Sequence, residues 1–274
     1  MKSDYYEVAL EAAEAAVHIH LEYFTGGFTT ASKAEQDHNL VTSADVKAEK
    51  AVVEVIRKHY PEHNLFGEEG DYPPTSSDFA WYIDPLDGTN NFFKGIPHFS
   101  VSVALYRGES PVAAAVIDST RNERFWAQKG KGAYLDGRRI GVSTHDTLKN
   151  AMLYTGFYYD RGEKMRMTLS AIESFFSEGI MGIRRSGSAA LDLCYLACGR
   201  CDGFWEHYLS PWDTAAGRCI IEEAGGIVTD RNYKPLPLDR GSMVFASNGL
   251  LHDELIRRAA GSYSREGYTH DRGL

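Results

Sequence analysis

The apolar run Ala80-Trp81-Tyr82-Ile83 stops at Asp84-Pro85-Leu86-Asp87-Gly88-Thr89, and no other junction constrains the chain as much. Four apolar residues in succession fit a strand buried on both faces. Pro85 holds Asp84 extended. Gly88 permits a tight turn, and Thr89-Asn90-Asn91 is suited to open a short helix. A buried strand therefore delivers two carboxylates to its end, beside a helix N-terminus. That arrangement suits hard cations. Mg²⁺ takes one or two carboxylates and completes its shell with water and substrate phosphate. The free N–H groups of a first helical turn bind phosphate. Asp-Gly is also a common turn and D-x-x-D recurs by chance, so the segment alone supports a plain turn equally.

Two further acidic elements bear on that choice, Gly67-Glu68-Glu69-Gly70 and Pro211-Trp212-Asp213-Thr214-Ala215-Ala216-Gly217. Taken singly, Glu68-Glu69 reads as a solvated loop pair and Asp213 as a cap on the helix that follows it.

The periodicity of the rest is mixed. Helical spacing marks residues 4–23, broken at Gly26-Gly27. It recurs from Thr42 or Ser43 to Pro61, with Ala48, Ala51, Val52, Val55 and Ile56 on one face. Residues 24–39 read as a polar, mobile loop. Strands are expected at 80–83, 99–106, 112–117, 124–127 and 203–206, with Asn122 in a turn. Helices are expected at 163–176, 188–198, 214–224 and 250–260. The tail from Gly261 is polar. Helices and strands interleave with no repeat and no long linker, so the class is mixed α/β (α+β) with layered sheets.

At 274 residues the chain can bury a large core. Residues 1–260 read as one compact domain of two packed halves that meet near 145–150, with a tail at 261–274. The formal net charge of −9 argues against broad nucleic-acid binding, which needs clustered cations. The N-terminus lacks an apolar signal core and no run reaches membrane-spanning length, so a soluble, cytoplasmic protein is expected. The cysteines are Cys194, Cys198, Cys201 and Cys219. Cys198-Gly199-Arg200-Cys201 has C-x-x-C spacing. It falls where a helix ends rather than opens and has no second pair, so structural thiols are expected rather than a redox or zinc site.

The sequence resembles the inositol monophosphatase family of Mg²⁺-dependent, Li⁺-sensitive phosphatases. Four motifs, in order and at matching intervals, carry the resemblance: Leu40-Val41-Thr42-Ser43-Ala44-Asp45, Gly67-Glu68-Glu69, the box at residues 84–92, and Trp212-Asp213-Thr214-Ala215-Ala216. It implies a layered α-β-α-β-α sandwich of the sugar-phosphatase type. It implies two or three Mg²⁺ ions held by Glu68, Asp84, Asp87, Asp213 and the Leu86 carbonyl. Asp45 and Thr89 would be the catalytic pair that orients and deprotonates a metal-activated water. The N–H groups of Gly88 and Thr89 would contact phosphate, and Gly187, Ser188, Ala189 and Glu206 the substrate's hydroxyl-bearing ring. Lys33 matches a family lysine weakly. Asn39 and Asn90 stand where aspartate and threonine are common.

The implied reaction is hydrolysis of a phosphate monoester, with myo-inositol monophosphate first. Fructose 1,6-bisphosphate, histidinol phosphate and 3′-phosphoadenosine nucleotides are the alternatives within the superfamily. A homodimer is also implied. Some family members are partners of the transcription machinery, which gives a non-enzymatic alternative. Nucleic acid is not an expected ligand, and Arg184-Arg185 reads as a surface or substrate-proximal pair.

Overall fold

The computed structural model describes residues 4–26, 30–32, 40–159 and 161–261. Lys33, Asn39 and the tail beyond Gly261 lie outside the described residues. Helix α1 (Tyr5–Gly26) leads to two short strands, β1 (Thr30–Ser32) and β2 (Leu40–Thr42), which pair antiparallel, and then to α2 (Ser43–His59). A seven-stranded sheet follows in the order β3 (Asn64–Gly67), β4 (Phe79–Asp87), β5 (Ser100–Arg107), β6 (Ser110–Asp118), β7 (Glu123–Gln128), β8 (Gly132–Leu135) and β9 (Arg138–Ile140). The short helix α3 (Thr89–Phe93) leaves the end of β4. A second sheet has the order β11 (Gly182–Arg184), β10 (Met152–Thr155), β12 (Gly203–Leu209), β14 (Ser242–Ser247) and β13 (Ile227–Thr229). Its helices are α4 (Glu163–Phe176), α5 (Ala189–Ala197), α6 (Pro211–Glu223) and α7 (His252–Gly261).

The layering follows from the period of two in the strands. Val101, Val103 and Leu105 of β5 face α1 and α2, where they pack with Val8, Ala12, Val52 and Ile56. Ala104 and Tyr106 face the other way, into a core with Leu193 of α5 and Ile220 of α6. Tyr106 also donates its hydroxyl to the Ala215 carbonyl (3.0 Å), tying α6 to the sheet. Beyond the second sheet, Trp205 and Phe245 pack with Phe175 of α4 and Leu255 of α7. The order is α1/α2, first sheet, α5/α6, second sheet, α4/α7, which is the α-β-α-β-α sandwich. Ala9, Ala12, Ala13 and Ala16 are all fully buried, and their small side chains let α1 lie close on its neighbours.

Several expected boundaries differ: α1 runs past Tyr23 to Gly26 and residues 30–32 of the expected loop form β1, and three further differences bear on the site. β4 does not stop at Asp84 but runs to Asp87, because the sheet accommodates the acidic segment as a bulge. The helix expected at 214 begins at Pro211, whose missing N–H costs nothing in a first turn. Asp213 therefore lies inside that turn and does not precede it. The helix expected from 188 begins at Ala189, with Ser188 as its N-cap and Cys198 as its C-cap. All four cysteines are free thiols, and only Cys198 is not buried.

Candidate functional site

The bulge in β4 creates the site's floor. Asp84 pairs with Ser102 and Asp87 with Ser100, so four residues of β4 span three of β5 and the register shifts between the acids. Pro85, with no N–H for the ladder, sits where pairing lapses. Asp84 Oδ1 accepts from the Leu86 N–H (3.0 Å), which fixes the carboxylate across the bulge. Gly88 follows at φ +96, and a Cβ there would meet the carbonyls of His98 and Gly187 at 3.1 and 3.2 Å. Thr89 donates its hydroxyl to the Leu86 carbonyl (3.0 Å).

Each remaining acid is set by a different element. Asp87 reaches the N-terminus of α5, accepting from Ala190 N–H (2.8 Å), Ala189 N–H (3.2 Å) and the Ser188 hydroxyl. The helix macrodipole favours a negative charge at that point. Asp213, third residue of α6, accepts from the Ser210 N–H (2.7 Å) in a capping box. Glu68 follows β3, its N–H donating to the Ile83 carbonyl of β4 (3.2 Å). Asp45, in the first turn of α2, is 2% exposed.

These elements enclose a cavity of about 360 Å³. Glu68, Asp84, Leu86, Asp87, Gly88, Thr89, Gly187, Ala189, Glu206 and Asp213 all line it. Two expected site residues stand behind the wall. Asp45 is near enough to Asp84 to act on its ionisation. Ser188 is fully buried, with its hydroxyl against Asp87 and Ser100, so it is turned from the cavity that its neighbours line. Sequence reasoning missed Asp192, which also lines the cavity and accepts from the Ser186 hydroxyl. Its signal was one carboxylate within the otherwise apolar α5. It also missed an aromatic rim in which Lys164 Nζ lies 4.5 Å from the ring centres of both Tyr158 and Tyr208.

The electrostatics are one-sided. Burial raises the Asp84 carboxyl well above the usual carboxylate range, and Glu68, Asp87, Asp213 and Asp45 push it further. Asp213 is raised by burial and then by Glu68 and Asp87. Asp87 is also raised by burial, against which its hydrogen bonds to Ser188, Ala190 and Ala189 pull. Every charged neighbour acting on Asp84 is an acid, so this donor set lacks one thing, a cation. Among the described residues no three His, Cys, Asp or Glu side chains form a ready-made metal-binding group. A cation that takes only one or two carboxylates, with water and phosphate, fits such a set.

In the same cavity burial pushes the Glu206 carboxyl up to about 8, opposed by Arg185. Asp192 is raised well above its ordinary value by burial, opposed chiefly by the Ser186 hydrogen bond. The cavity therefore holds a cluster of acids suited to a cation together with the raised carboxyls of Glu206 and Asp192 beside Arg185, able to exchange hydrogen bonds with hydroxyl groups.

The chain is similar to several known proteins. A Synechocystis protein named inositol-1-monophosphatase is 42% identical over 223 residues, covering 81% of this chain and 77% of its own. A Pseudomonas aeruginosa protein named Nus factor SuhB is 40% identical over 243 residues, covering 86% of this chain and 89% of its own. The solved inositol monophosphatase of Anabaena superposes with a TM-score of 0.84 at 37% identity, covering 96% of this chain and 98% of its own. The sequence profile described as the Inositol monophosphatase family matches residues 1–263. The acid-lined floor under a bulged strand is thus found in a chain that belongs to the inositol monophosphatase family and is a phosphoric monoester hydrolase.

Proposed function

We propose that this chain hydrolyses a polyol phosphate monoester, with myo-inositol monophosphate as the first substrate, using two or three Mg²⁺ ions held by Glu68, Asp84, Asp87, Asp213 and the Leu86 carbonyl. One observation carries the reading: four carboxylates from three elements line one cavity, and the charged neighbours that act on Asp84 are all acids. When bound, Mg²⁺ supplies neutralising charge to a phosphoryl group and acidifies water. The chain's own residues do the rest. The backbone N–H groups of Gly88 and Thr89 hold the phosphate at the mouth of the bulge. The Thr89 hydroxyl orients the attacking water and relays its proton, and Asp45 takes that proton up as the general base. Gly187 and Ala189 shape the wall against the alcohol, and Glu206 exchanges hydrogen bonds with its hydroxyls. No phosphoenzyme is required.

Glu206 supports a polyol over a nucleoside, because a buried carboxyl near its pKa both donates to and accepts from hydroxyl groups. A bisphosphate, histidinol phosphate or 3′-phosphoadenosine nucleotide is the alternative at the same site. The likeness to a relative named Nus factor favours a second role as a protein partner in transcription. Retention of a pull-down with RNA polymerase factors by a variant without phosphatase activity would support it. The family resemblance also supports a homodimer, which light scattering in solution would detect.

Asp84→Asn tests the primary reading. Mg²⁺-dependent phosphate release should fall on the order of a thousandfold, equivalent to about 4 kcal/mol, with the circular dichroism spectrum unchanged. Near-normal activity would refute the site. A release screen over inositol, sugar and nucleotide monophosphates, with and without Li⁺, ranks the leaving alcohols.

A further inference from the structure

Glu49 belongs to none of the four motifs and does not line the cavity, yet the loop that carries Glu68 is folded around its carboxylate. It lies in α2 four residues after Asp45, so both side chains leave one helix face. Both are 2% exposed. Glu49 Oε2 accepts from the Glu69 N–H (3.0 Å) and Oε1 from the Tyr72 hydroxyl (2.7 Å). The flanking glycines admit it. A Cβ on Gly67 would stand 2.4 Å from Oε2, and one on Gly70 would stand 2.6 Å from Oε1. Neither position can carry a side chain while the carboxylate stays in place.

We propose that Glu49 is a positioning residue that fixes Glu68 relative to Asp45 and thereby sets the affinity of the site for Mg²⁺; this rests on the phosphatase reading above. Glu68 is held from two sides. Its own N–H is tied to β4 through the Ile83 carbonyl, and the next N–H, of Glu69, is tied to α2 through Glu49. Gly67 and Gly70 bracket the same carboxylate, so the peptide that aims the Glu68 side chain has little freedom to turn. Groups that orient a metal's ligands change its affinity about 10–100-fold when removed.

The test measures Mg²⁺ binding by calorimetry, and the Mg²⁺ concentration giving half-maximal phosphate release, for the parent, Glu49→Gln, Gly70→Ala and Tyr72→Phe. Glu49→Gln removes a charge near the cations, whereas Gly70→Ala moves the loop and removes none. Glu49→Gln and Gly70→Ala should each weaken Mg²⁺ binding about 10–100-fold, with the half-maximal concentration rising in step. Turnover at saturating Mg²⁺ should change by less than about threefold, since a positioning residue acts through its ligand. Tyr72→Phe, which leaves one of the two hydrogen bonds, should shift binding in the same direction by a smaller factor. If Glu49→Gln fails to fold, the other two variants carry the test. Lower melting temperatures with unaltered Mg²⁺ affinity would mean a merely structural role and overturn the proposal. A parent that binds Mg²⁺ and releases phosphate, beside variants that bind equally well, overturns this inference alone. A parent that neither binds Mg²⁺ nor releases phosphate overturns the phosphatase reading and this inference with it.

Discussion

Glu206 occupies space that Gly156 leaves for it, since a Cβ at Gly156 would come within 2.0 Å of Oε2. With its pKa pushed up to about 8 in the metal-free fold by burial, opposed by Arg185, the carboxyl is mostly protonated at pH 7. It then offers an O–H donor and a C=O acceptor, the pair that a polyol hydroxyl requires. Glutamine has the same shape and the same two capabilities. Glu206→Gln should therefore keep KM within about threefold of the parent at pH 7, whereas Glu206→Ala should raise it about tenfold or more, equivalent to at least ~1.4 kcal/mol. Above pH 8 the parent loses its donor and the variant does not. KM measured from pH 6 to 9.5 should inflect for the parent and stay flat for Glu206→Gln. A large loss for Glu206→Gln at pH 7 would mean that the ionised form does the recognising. At this scale Asp84 and Asp87 stood out because they end an apolar run, whereas Asp213 read singly as a helix cap, and only the family resemblance joined the three. Asp192 and Glu49 did not stand out. Their meaning lies in what they touch, Ser186 for one and the Glu69 N–H for the other, and helical spacing does not reveal such contacts.

Helix α1 contributes one buried polar group, His20, to the site's far side. Nε2 donates to the Pro85 carbonyl (2.7 Å), and Nδ1 then accepts from the Ser119 hydroxyl (2.7 Å). Both ring nitrogens are used in the neutral form, and burial lowers the pKa to about 4 from 6.5. The sign follows from proton counting. Between these values the unfolded chain binds the proton and the fold does not, so stability is full above pH 6.5 and is lost as pH falls through 4. His20 alone should cost about 2 kcal/mol of stability between pH 7 and pH 5. Urea unfolding of the parent and His20→Gln at both pH values measures it, and the variant should lack that share of the acid sensitivity. An equal pH response in the two would exclude His20 as the source and leave His207, which burial also lowers to about 4, with His98 and His252, which burial lowers as well. In the metal-free protein the raised carboxyls of Asp84 and Asp213 act in the opposite direction, which is why the comparison is made between parent and variant at each pH.

The elements themselves were legible where one face decides them. The helix at Glu163–Phe176 was expected over those residues, since Met167, Ala171 and Phe175 bury one stripe. Strands of three residues such as β9, β11 and β13 carry too little pattern, and β11 and β13 also depend on partners well separated in sequence, β10 and β14. The end of β4 was misplaced for a related reason. The bulge is stabilised by Ser100, Ser102 and His20 across space, and none of these is adjacent to Asp84 in sequence.

For the whole molecule, the site unites residues from Glu68 to Asp213, contributed by both sheets and by the helices between them. Periodicity cannot join such distant segments; the resemblance that four motifs carry is what implied their meeting. This assembly concentrates like charge where burial already penalises it, so the metal-free fold works against the repulsion of its own carboxylates. Mg²⁺ that binds the fold and not the unfolded chain should add about 2.7 kcal/mol at a hundred times its Kd. For a chain of this size that corresponds to a rise in Tm of roughly 5–8 °C. Calorimetry with Mg²⁺ against chelator, at ionic strength matched with Na⁺, tests the claim. Asp84→Asn sharpens it, because that change removes both a proposed ligand and a source of repulsion. The variant should match or exceed the parent's Tm in chelator and gain far less from Mg²⁺. Equal gains in both proteins would place the stabilising cations away from β4. A variant markedly less stable than its parent in chelator would mean that the Asp84 carboxylate is needed for folding in its own right, through the bulge it closes with the Leu86 N–H.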